Sequence, residues 1–391
     1  MQLKFRRHDL QLAHAWAIAG GAAKHAHPVV FVELSDADGV VGLGEASPSR
    51  RYHESAATAQ AFFERVDARQ LSFADLAGSM AYLDTLAPGE FSAKSALNVA
   101  LLDGAAKRAG QPLHEFLGLG FREPQPGSEF RLQAARTNAG GLPPKGGTPN
   151  ENPHITSFSI GIDRPAVIRR KVLAAAEFPV LKMKVGSVHD RENFAALREA
   201  APAKPVRVDA NEAWRTKEHA LERIEWLAAD GRVQFVEQPM PAGASAEDLR
   251  WLKARSQLPL FADESFHFAG DAARCAEFFH GVNVKLCKTG GVTAAVAALR
   301  AARAAGLQTM LGCMIESSLL ISAAAHLAEL TDFLDLDGNL LVTDDPYRGV
   351  TAERGGMSFA SAREKAGLRV GLAGAAEISY GSPVRSGVVS R

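Results

Sequence analysis

Three cysteines in 391 residues, Cys275, Cys287 and Cys313, are too few and too poorly spaced for a disulfide framework or a zinc site. Such sparse use fits a reducing compartment. Net charge is missing as well, because 44 lysines and arginines balance 44 aspartates and glutamates. A neutral chain lacks the basic surface of a nucleic-acid binder and the polybasic patch of a membrane-bound protein, so neither partner is expected. No apolar run approaches the length of a membrane span, and the basic residues of MQLKFRRHDL are not followed by the apolar stretch of a secretory leader. A cytoplasmic protein is the expectation. Sequence repeats and low-complexity tracts are also lacking.

What remains is an ordinary globular composition, 47% apolar and 23% charged, over a length that suits two domains. Residues 1–125 read as an α+β unit. VVFVEL (29–34) and VVGLGEA (40–46) look like strands, and FSAKSALNVALLDGAAKRAG (91–110) has a helical pattern. Residues 126–154 form a linker or insertion, with four glycines and four prolines between 136 and 154. From 155 to 349 the rhythm changes. SFSIGI (157–162), VLKMKV (180–185), VRVDA (206–210), VQFVEQP (233–239), LPLFADES (258–265), VNVKLCK (282–288), LQTMLGCMIES (307–317) and FLDLDG (333–338) alternate with Ala-, Leu- and Arg-rich helical segments. Eight strands alternating with helices predict an α/β fold, most economically a (β/α)₈ barrel, with a doubly wound sheet as the alternative. The tail, about 350–391, is expected to pack back on the N-terminal unit and complete it as a cap.

Parallel strands are buried on both faces and should be apolar throughout. Here a charged residue stands near the end of nearly every run: Lys182 and Lys184, Asp209, Glu237, Asp263, Lys285, and Asp335 with Asp337. A single one would read as a helix cap. In a barrel, the whole series converges on the C-terminal mouth, where active sites are built. Asp209, Glu237 and Asp263 come from three consecutive strands, and three adjacent carboxylates call for a cation. All-oxygen ligation without histidine suits Mg²⁺, or Mn²⁺, better than zinc. Asn211 and Glu264 are candidates to support those ligands, and Glu316 is a further one. Lys182 and Lys184 share one face, so the two ammonium groups are expected to depress each other's pKa and leave Lys184 able to act as a base. Lys285 faces them, with Lys288 one turn on. A substrate carboxylate held on the metal would acidify its α-proton, one lysine would remove that proton, and the other would return one to the opposite face. A Schiff-base lysine is the rival reading, but it does not require three clustered carboxylates.

KMKVG (182–186), VDANEAW (208–214), VEQP (236–239), ADES (262–265) and VKLCKTGG (284–291) together resemble the muconate-lactonizing-enzyme subgroup of the enolase superfamily. The resemblance spans nearly the whole chain, cap included. It implies Lys184 and Lys285 as the acid/base pair, with Lys288 as runner-up, and Asp209, Glu237 and Asp263 as the Mg²⁺ ligands. Within the subgroup, DLDG (335–338) resembles the dipeptide epimerases, in which an Asp-x-Asp holds the α-ammonium of the substrate. TSFSIGID (156–163) and GCMIES (312–317) are similar to that group as well. The expected substrate is therefore a small dipeptide whose C-terminal residue is inverted through a metal-stabilised enediolate. Dianions such as muconate or o-succinylbenzoate would be repelled by Asp335 and Asp337. Muconate cycloisomerase, o-succinylbenzoate synthase and N-succinylamino acid racemase activities are the alternatives, and a barrel that binds a ligand without turnover is a further one. Lys182 and Ser159 are candidate substrate contacts. The cap segment AIAGGAAKHAHP (17–28) is expected to close over the site, with Lys24 pairing an acidic side chain and giving an L-Ala-L/D-Glu preference. His25 and His27 are alternatives to Lys24. The cysteines are expected to serve packing only, and a homo-oligomer is compatible with everything above.

Overall fold

The computed structural model describes residues 1–124 and 154–374. Nearly all of the segment expected as a linker, and the tail beyond residue 374, lie outside the described residues. The chain opens on an antiparallel sheet of β1 (Gln2–Trp16), β2 (Lys24–Ser35) and β3 (Val41–Ala46), in that order. The first of these strands escapes the sequence reading. Only Leu3 and Leu10 of β1 are buried, so this edge strand carries almost no apolar alternation. Helices α1 (Ala56–Glu64), α2 (Leu76–Leu86), α3 (Phe91–Arg108) and the short α4 (Leu113–Phe116) follow. Ser55 caps α1 in a reciprocal box with Thr58, and Asp75 caps α2. Every residue of α3 from Ser92 to Ala106 is buried, and β3 lies directly on this helix. A Cβ on Gly42 or Gly44 would stand 2.0 Å from the carbonyl oxygen of Ala100 or Ala96, so only glycine permits the approach.

Eight parallel strands make the second body, and their sheet order follows chain order. They are β4 (Phe158–Ile160), β5 (Leu181–Lys184), β6 (Val206–Asp209), β7 (Val233–Glu237), β8 (Leu260–Ala262), β9 (Gly281–Lys285), β10 (Gln308–Gly312) and β11 (Phe333–Asp335). Ser157 N donates to Leu334 O at 3.1 Å, which brings the last strand back beside the first and rounds the sheet into a barrel. Single helices α5 (Pro165–Ala174), α6 (Asp190–Ala200), α7 (Lys217–Ala228), α8 (Ala246–Arg255) and α9 (Ala272–Phe278) carry the chain from β4 to β9. Two helices, α10 (Leu286–Thr289) and α11 (Val292–Ala304), join β9 to β10, and α12 (Ser318–Ala325) joins β10 to β11. The run VNVKLCK is thus a strand only as far as Lys285. Its last three residues open α10, whose end Gly290 terminates at a φ of +94°. Two small antiparallel pairs follow the barrel: β12 (Tyr347–Arg348) with β15 (Gly371–Leu372), and between them in the chain the hairpin of β13 (Thr351–Glu353) and β14 (Gly356–Ser358). The same stretch hydrogen-bonds the first body: Leu368 N donates to Asp103 Oδ1 of α3 at 2.8 Å, and Leu113 N to Gly367 O at 2.8 Å.

Alternation along the strands sorts the barrel interior into tiers. Phe235, Phe261 and Met310 cluster at one end with Phe333 against them, and Arg207 lies over the rings of Phe235 and Phe333 at 5.7 and 5.1 Å. Two residues further along three of these strands stand Asp209, Glu237 and Asp263. The aromatic floor therefore closes the barrel from below, and the charged residues lie above it, toward the C-terminal ends of the strands.

Buried histidines join the two bodies. His27 Nε2 lies 2.8 Å from Ser47 Oγ, which donates to Ile315 O at 2.8 Å, and the Nδ1 atoms of His114 and His326 are 2.8 Å apart. Burial lowers His27 from 6.5 to about 4 and His326 to about 3. Below pH 6.5 the unfolded chain binds protons that the folded chain refuses, so this stabilisation is complete above pH 6.5 and is lost as the pH falls through about 4. The urea midpoint should fall across that window, with His27 alone contributing about 3 kcal/mol. His27→Gln should flatten the dependence by one proton. An unchanged slope in that variant would show that His27 does not titrate on unfolding.

Candidate active site

Lys184, Asp209, Glu237 and Lys285 each end a different strand. In parallel register, Lys184 stands beside Asp209, and Asp209 beside Glu237. Asp263 follows β8 directly, and Lys285 ends β9. Asp209, Glu237 and Asp263 are all buried, and one oxygen from each lies within 4.8 Å of the others. These three carboxylates occupy one arc of the barrel. Lys184 on β5 and Lys285 on β9 bound the arc on opposite sides of the ring, and Asp335 on β11 stands across from Glu237 on β7.

Four buried lysines neutralise four buried carboxylates here. Lys184 Nζ donates to Asp209 Oδ2 at 2.6 Å, and Lys285 Nζ to Asp263 Oδ2 at 2.9 Å. Lys288 Nζ donates to Asp263 Oδ1 at 2.6 Å and to the backbone oxygens of Asp263 and Asn283. With all its protons engaged inside the protein, Lys288 is placed to hold Asp263 rather than to reach a substrate. Lys182 Nζ lies 2.6 Å from Asp335 Oδ2, 2.7 Å from Glu237 Oε2 and 3.5 Å from Asp209 Oδ2. Burial disfavours the Lys182 ammonium, but these three carboxylates outweigh it and hold its pKa well above the usual value. Burial is likewise outweighed at Lys285, chiefly by Asp263. For Lys182 the direction is opposite to the depression expected from a neighbouring lysine, because carboxylates surround it. Burial acts against ionised Asp263 too, yet Lys285 and Lys288 keep it well below the ordinary carboxylate range. Glu237 has the least compensation, and burial together with Asp209 pushes it up. Its Oε2 takes no well-aligned hydrogen bond despite the nearby Lys182. Three dry carboxylates at this spacing, with no nitrogen or sulfur donor, are a donor set that suits a hard divalent cation.

The Asp-x-Asp pair is engaged within the protein. Asp335 is not a free carboxylate at the mouth. It is sealed between Lys182 and Ser157 Oγ, 2.6 Å from each, and despite its burial it is held down at about 2. Asp337 lies beyond the strand and accepts Ser159 N at 2.6 Å. Burial and the Asp335 charge push it up to about 7. Ser159 itself is buried and supports Asp337, so its nearest partner is a protein carboxylate. Asn211 N donates to Asp209 Oδ1 at 2.9 Å, and Asn211 Nδ2 lies 3.4 Å from Glu264 Oε1. Glu316 is buried and accepts Met314 N at 2.9 Å.

The loop between β1 and β2 reaches the mouth. Ile162 N, past the end of β4, donates to Ala17 O at 2.9 Å, and a Cβ on Gly186 would lie 2.7 Å from that of Ala19. Lys24, at the start of β2, is exposed and pairs with no carboxylate among the described residues, and His25 is also exposed. His27 is corrected: buried and uncharged on Ser47, it is no partner for an acidic substrate. The cysteines are all free, and burial pushes the Cys275 thiol up to about 12, which fits the packing role expected of them.

Two supporting residues escape the sequence reading. Gln238 Oε1 accepts Asp263 N at 2.9 Å, tying the residue after Glu237 to Asp263. Asn283 Nδ2 donates to Glu237 Oε1 at 2.7 Å. The signal for Asn283 is present in VNVK, where it shares the inward face of Lys285.

A sheet-and-helix unit beside a parallel β/α barrel, with carboxylates and lysines gathered toward the C-terminal ends of its strands, has the architecture of a barrel enzyme. Residues 5–118 match the mandelate racemase / muconate lactonizing enzyme N-terminal domain, and residues 167–354 match the enolase C-terminal domain-like family. The chain belongs to the mandelate racemase / muconate lactonizing enzyme family of the enolase superfamily. It is 59% identical over 372 residues to an L-Ala-D/L-amino acid epimerase of Pedosphaera parvula, covering 95% of this chain and 99% of the relative. An L-Ala-D/L-Glu epimerase of Bacteroides thetaiotaomicron is 35% identical, covering 92% and 85% respectively. Among solved structures, the dipeptide epimerase from Cytophaga hutchinsonii complexed with Mg and D-Ala-L-Val superposes with a TM-score of 0.81 at 28% identity, covering 96% of each chain.

Proposed function

We propose that this chain is a dipeptide epimerase that inverts the α-carbon of the second residue, with Mg²⁺, or Mn²⁺, held by Asp209, Glu237 and Asp263. The observation that carries this reading is the placement of Lys184 and Lys285 on opposite strands, flanking the carboxylate arc, with Asp335 ending β11 opposite Glu237 and Asp337 just beyond it. The relatives and the solved structure named above support the same activity. A bound divalent cation supplies positive charge that stabilises the negative charge developing on a substrate carboxylate as the α-proton leaves.

The chain's own residues do the rest. A dipeptide carries a carboxylate at one end and an ammonium at the other, so it matches the Lys182–Asp335 ion pair taken apart. Its carboxylate replaces Asp335 at Lys182, and its ammonium replaces Lys182 at Asp335, with Asp337 receiving the counter-charge it lacks. Neither buried charge is then left alone. Laid across the mouth in this way, the α-carbon lies between the two lysines, one on each face. One lysine removes the proton and the other delivers one from the opposite side. A dianion has nothing to offer Asp335 and Asp337, which disfavours cycloisomerase and succinylbenzoate-type substrates.

Lys24, on the strand that follows the loop over the mouth, is the charge available for an acidic second side chain. Residues 1–125, completed by the tail from about 350, act as the cap on a barrel spanning 155–349, as the Leu368–Asp103 contact supports. The three free cysteines support a cytoplasmic setting, and no helix among the described residues is long and apolar enough to cross a membrane. The test is a library of L,L-dipeptides incubated with the purified chain and Mg²⁺ in D₂O. One deuterium should enter the second residue of the preferred dipeptides, with formation of the L,D product. Absence of exchange with every member, or elimination from a dianionic substrate instead, overturns the proposal.

A further inference from the structure

The metal ligands are joined to the cap through one side chain. After β3 the chain makes a short turn at Arg50–Tyr52, fixed by Ser49, whose hydroxyl accepts Arg51 N at 3.3 Å, and by His53 at a φ of +61°. From this turn the half-buried Arg51 reaches two barrel loops. Its Nη1 pairs with Glu212 Oε2, and with Glu264 Oε1 at 2.8 Å. Both carboxylates lie within three residues of a proposed metal ligand in the chain. Glu264 directly follows Asp263, and Glu212 follows Asn211, whose backbone N–H holds Asp209.

These loops are laced to one another. Asn211 Nδ2 approaches Glu264 Oε1 at 3.4 Å, Glu212 N donates to Gln238 O at 2.8 Å, and Glu212 Oε1 accepts Ala242 N at 2.8 Å. Asn211 and Glu212 hold successive positive φ values of +43° and +67°, and Gln238 holds +37°. Left-handed backbone at three non-glycine residues persists only where surrounding contacts enforce it. Arg51 is the only cation paired with Glu212 or Glu264 among the described residues. Around it, Tyr52 packs on His267 with ring centroids at 5.4 Å, and Phe91 on Phe268 at 5.0 Å, so cap and β8–α9 loop meet over an extended contact.

We propose that Arg51 is a positioning residue: by clamping Glu212 and Glu264 it sets the loops that carry Asp209 and Asp263, and so couples the seating of the cap to metal affinity. The inference rests on the metal site proposed above. Electrostatics and positioning predict opposite signs. A positive charge near the site repels a divalent cation, so its mere removal would tighten binding. Loss of the clamp loosens the ligands and weakens binding, as loss of outer partners of metal ligands commonly does.

The experiment measures Mg²⁺ affinity by titration calorimetry on the chelator-stripped full chain, without substrate, for wild type, Arg51→Met and Arg51→Lys. The expected result is a Kd raised about tenfold in Arg51→Met, with most of the loss recovered in Arg51→Lys, which keeps a cation able to bridge both carboxylates. In turnover, the Mg²⁺ concentration for half-maximal rate should rise while kcat at saturating Mg²⁺ changes little. Unchanged or tighter Mg²⁺ binding by Arg51→Met, with only a lowered melting temperature, overturns the inference and leaves the metal site standing. Failure of the wild type itself to bind Mg²⁺ overturns both.

Discussion

Lys285→Ala is expected to abolish epimerisation in both directions while leaving one stereoisomer able to exchange its α-proton with solvent deuterium. The argument is geometric. Lys184 and Lys285 end strands four places apart in a ring of eight, so each faces one side of a substrate lying between them. Inversion needs both lysines, whereas exchange with retention needs only the one that takes and returns protons on the same face. Turnover should fall by at least about 10³-fold, the usual scale for removing an essential acid or base. Lys184→Ala should show the mirror pattern, with exchange confined to the opposite isomer. The fold should tolerate the Lys285 change, because Asp263 keeps Lys288 at 2.6 Å and so is not left as an unpaired buried charge. Mass spectrometry of each pure stereoisomer after incubation in D₂O reads the outcome. Exchange of both isomers by Lys285→Ala would remove the two-sided assignment.

The site was legible in the sequence to the extent that it violates the rule for its setting. A charged residue at the end of an apolar parallel strand has no structural need to be there, and Asp209, Glu237, Asp263 and Lys285 all announce themselves in this way. Spacing also sufficed for the barrel, since the runs that carry them recur at helix-plus-strand intervals. Other features depend on partners that are distant in the chain. Nothing local to Arg51 distinguishes it from Arg50, because its role comes from Glu212 and Glu264, more than 160 residues away. Lys182 and Asp335 were each read as facing a substrate. Their pairing depends on β11 returning beside β4 and the side chains crossing the interior, which alternation alone does not encode. Strand β1 was illegible for the opposite reason: it is held by backbone pairing to β2 from Gln2↔Ser35 to Gln11↔Ala26 and not by burial of its side chains.

Glu237→Gln should eliminate Mg²⁺ binding with little harm to the metal-free fold, and this separates the metal's role from that of the lysines. Among the three proposed ligands, Glu237 is the one not hydrogen-bonded to Lys184, Lys285 or Lys288. Asp209 is held by Lys184 and Asp263 by Lys285 and Lys288, so substitution at either would disturb a proton-transfer residue or its support. Glu237 is met instead by Asn283 and Lys182, and Lys182 retains Asp335 when the Glu237 charge is removed. A glutamine preserves the shape, and its one oxygen can accept from either Asn283 or Lys182, the latter keeping Asp335 as partner in any case. Burial and the neighbouring Asp209 already disfavour the Glu237 carboxylate, so its neutralisation should not destabilise the metal-free chain and should relieve some repulsion. The cost falls on the metal. Loss of one of three anionic donors should weaken affinity by more than the roughly 10- to 100-fold typical of losing an outer partner. Thermal unfolding provides a readout independent of catalysis. Mg²⁺ at about 100 times its Kd should stabilise the wild type by about 2.7 kcal/mol, and Glu237→Gln should show almost none of that shift at the same concentration. An equal Mg²⁺-dependent rise in melting temperature in the variant would place the cation elsewhere. A lower melting temperature without Mg²⁺ would mean that Glu237 serves the fold as an ion-pair partner of Lys182 more than it serves the metal.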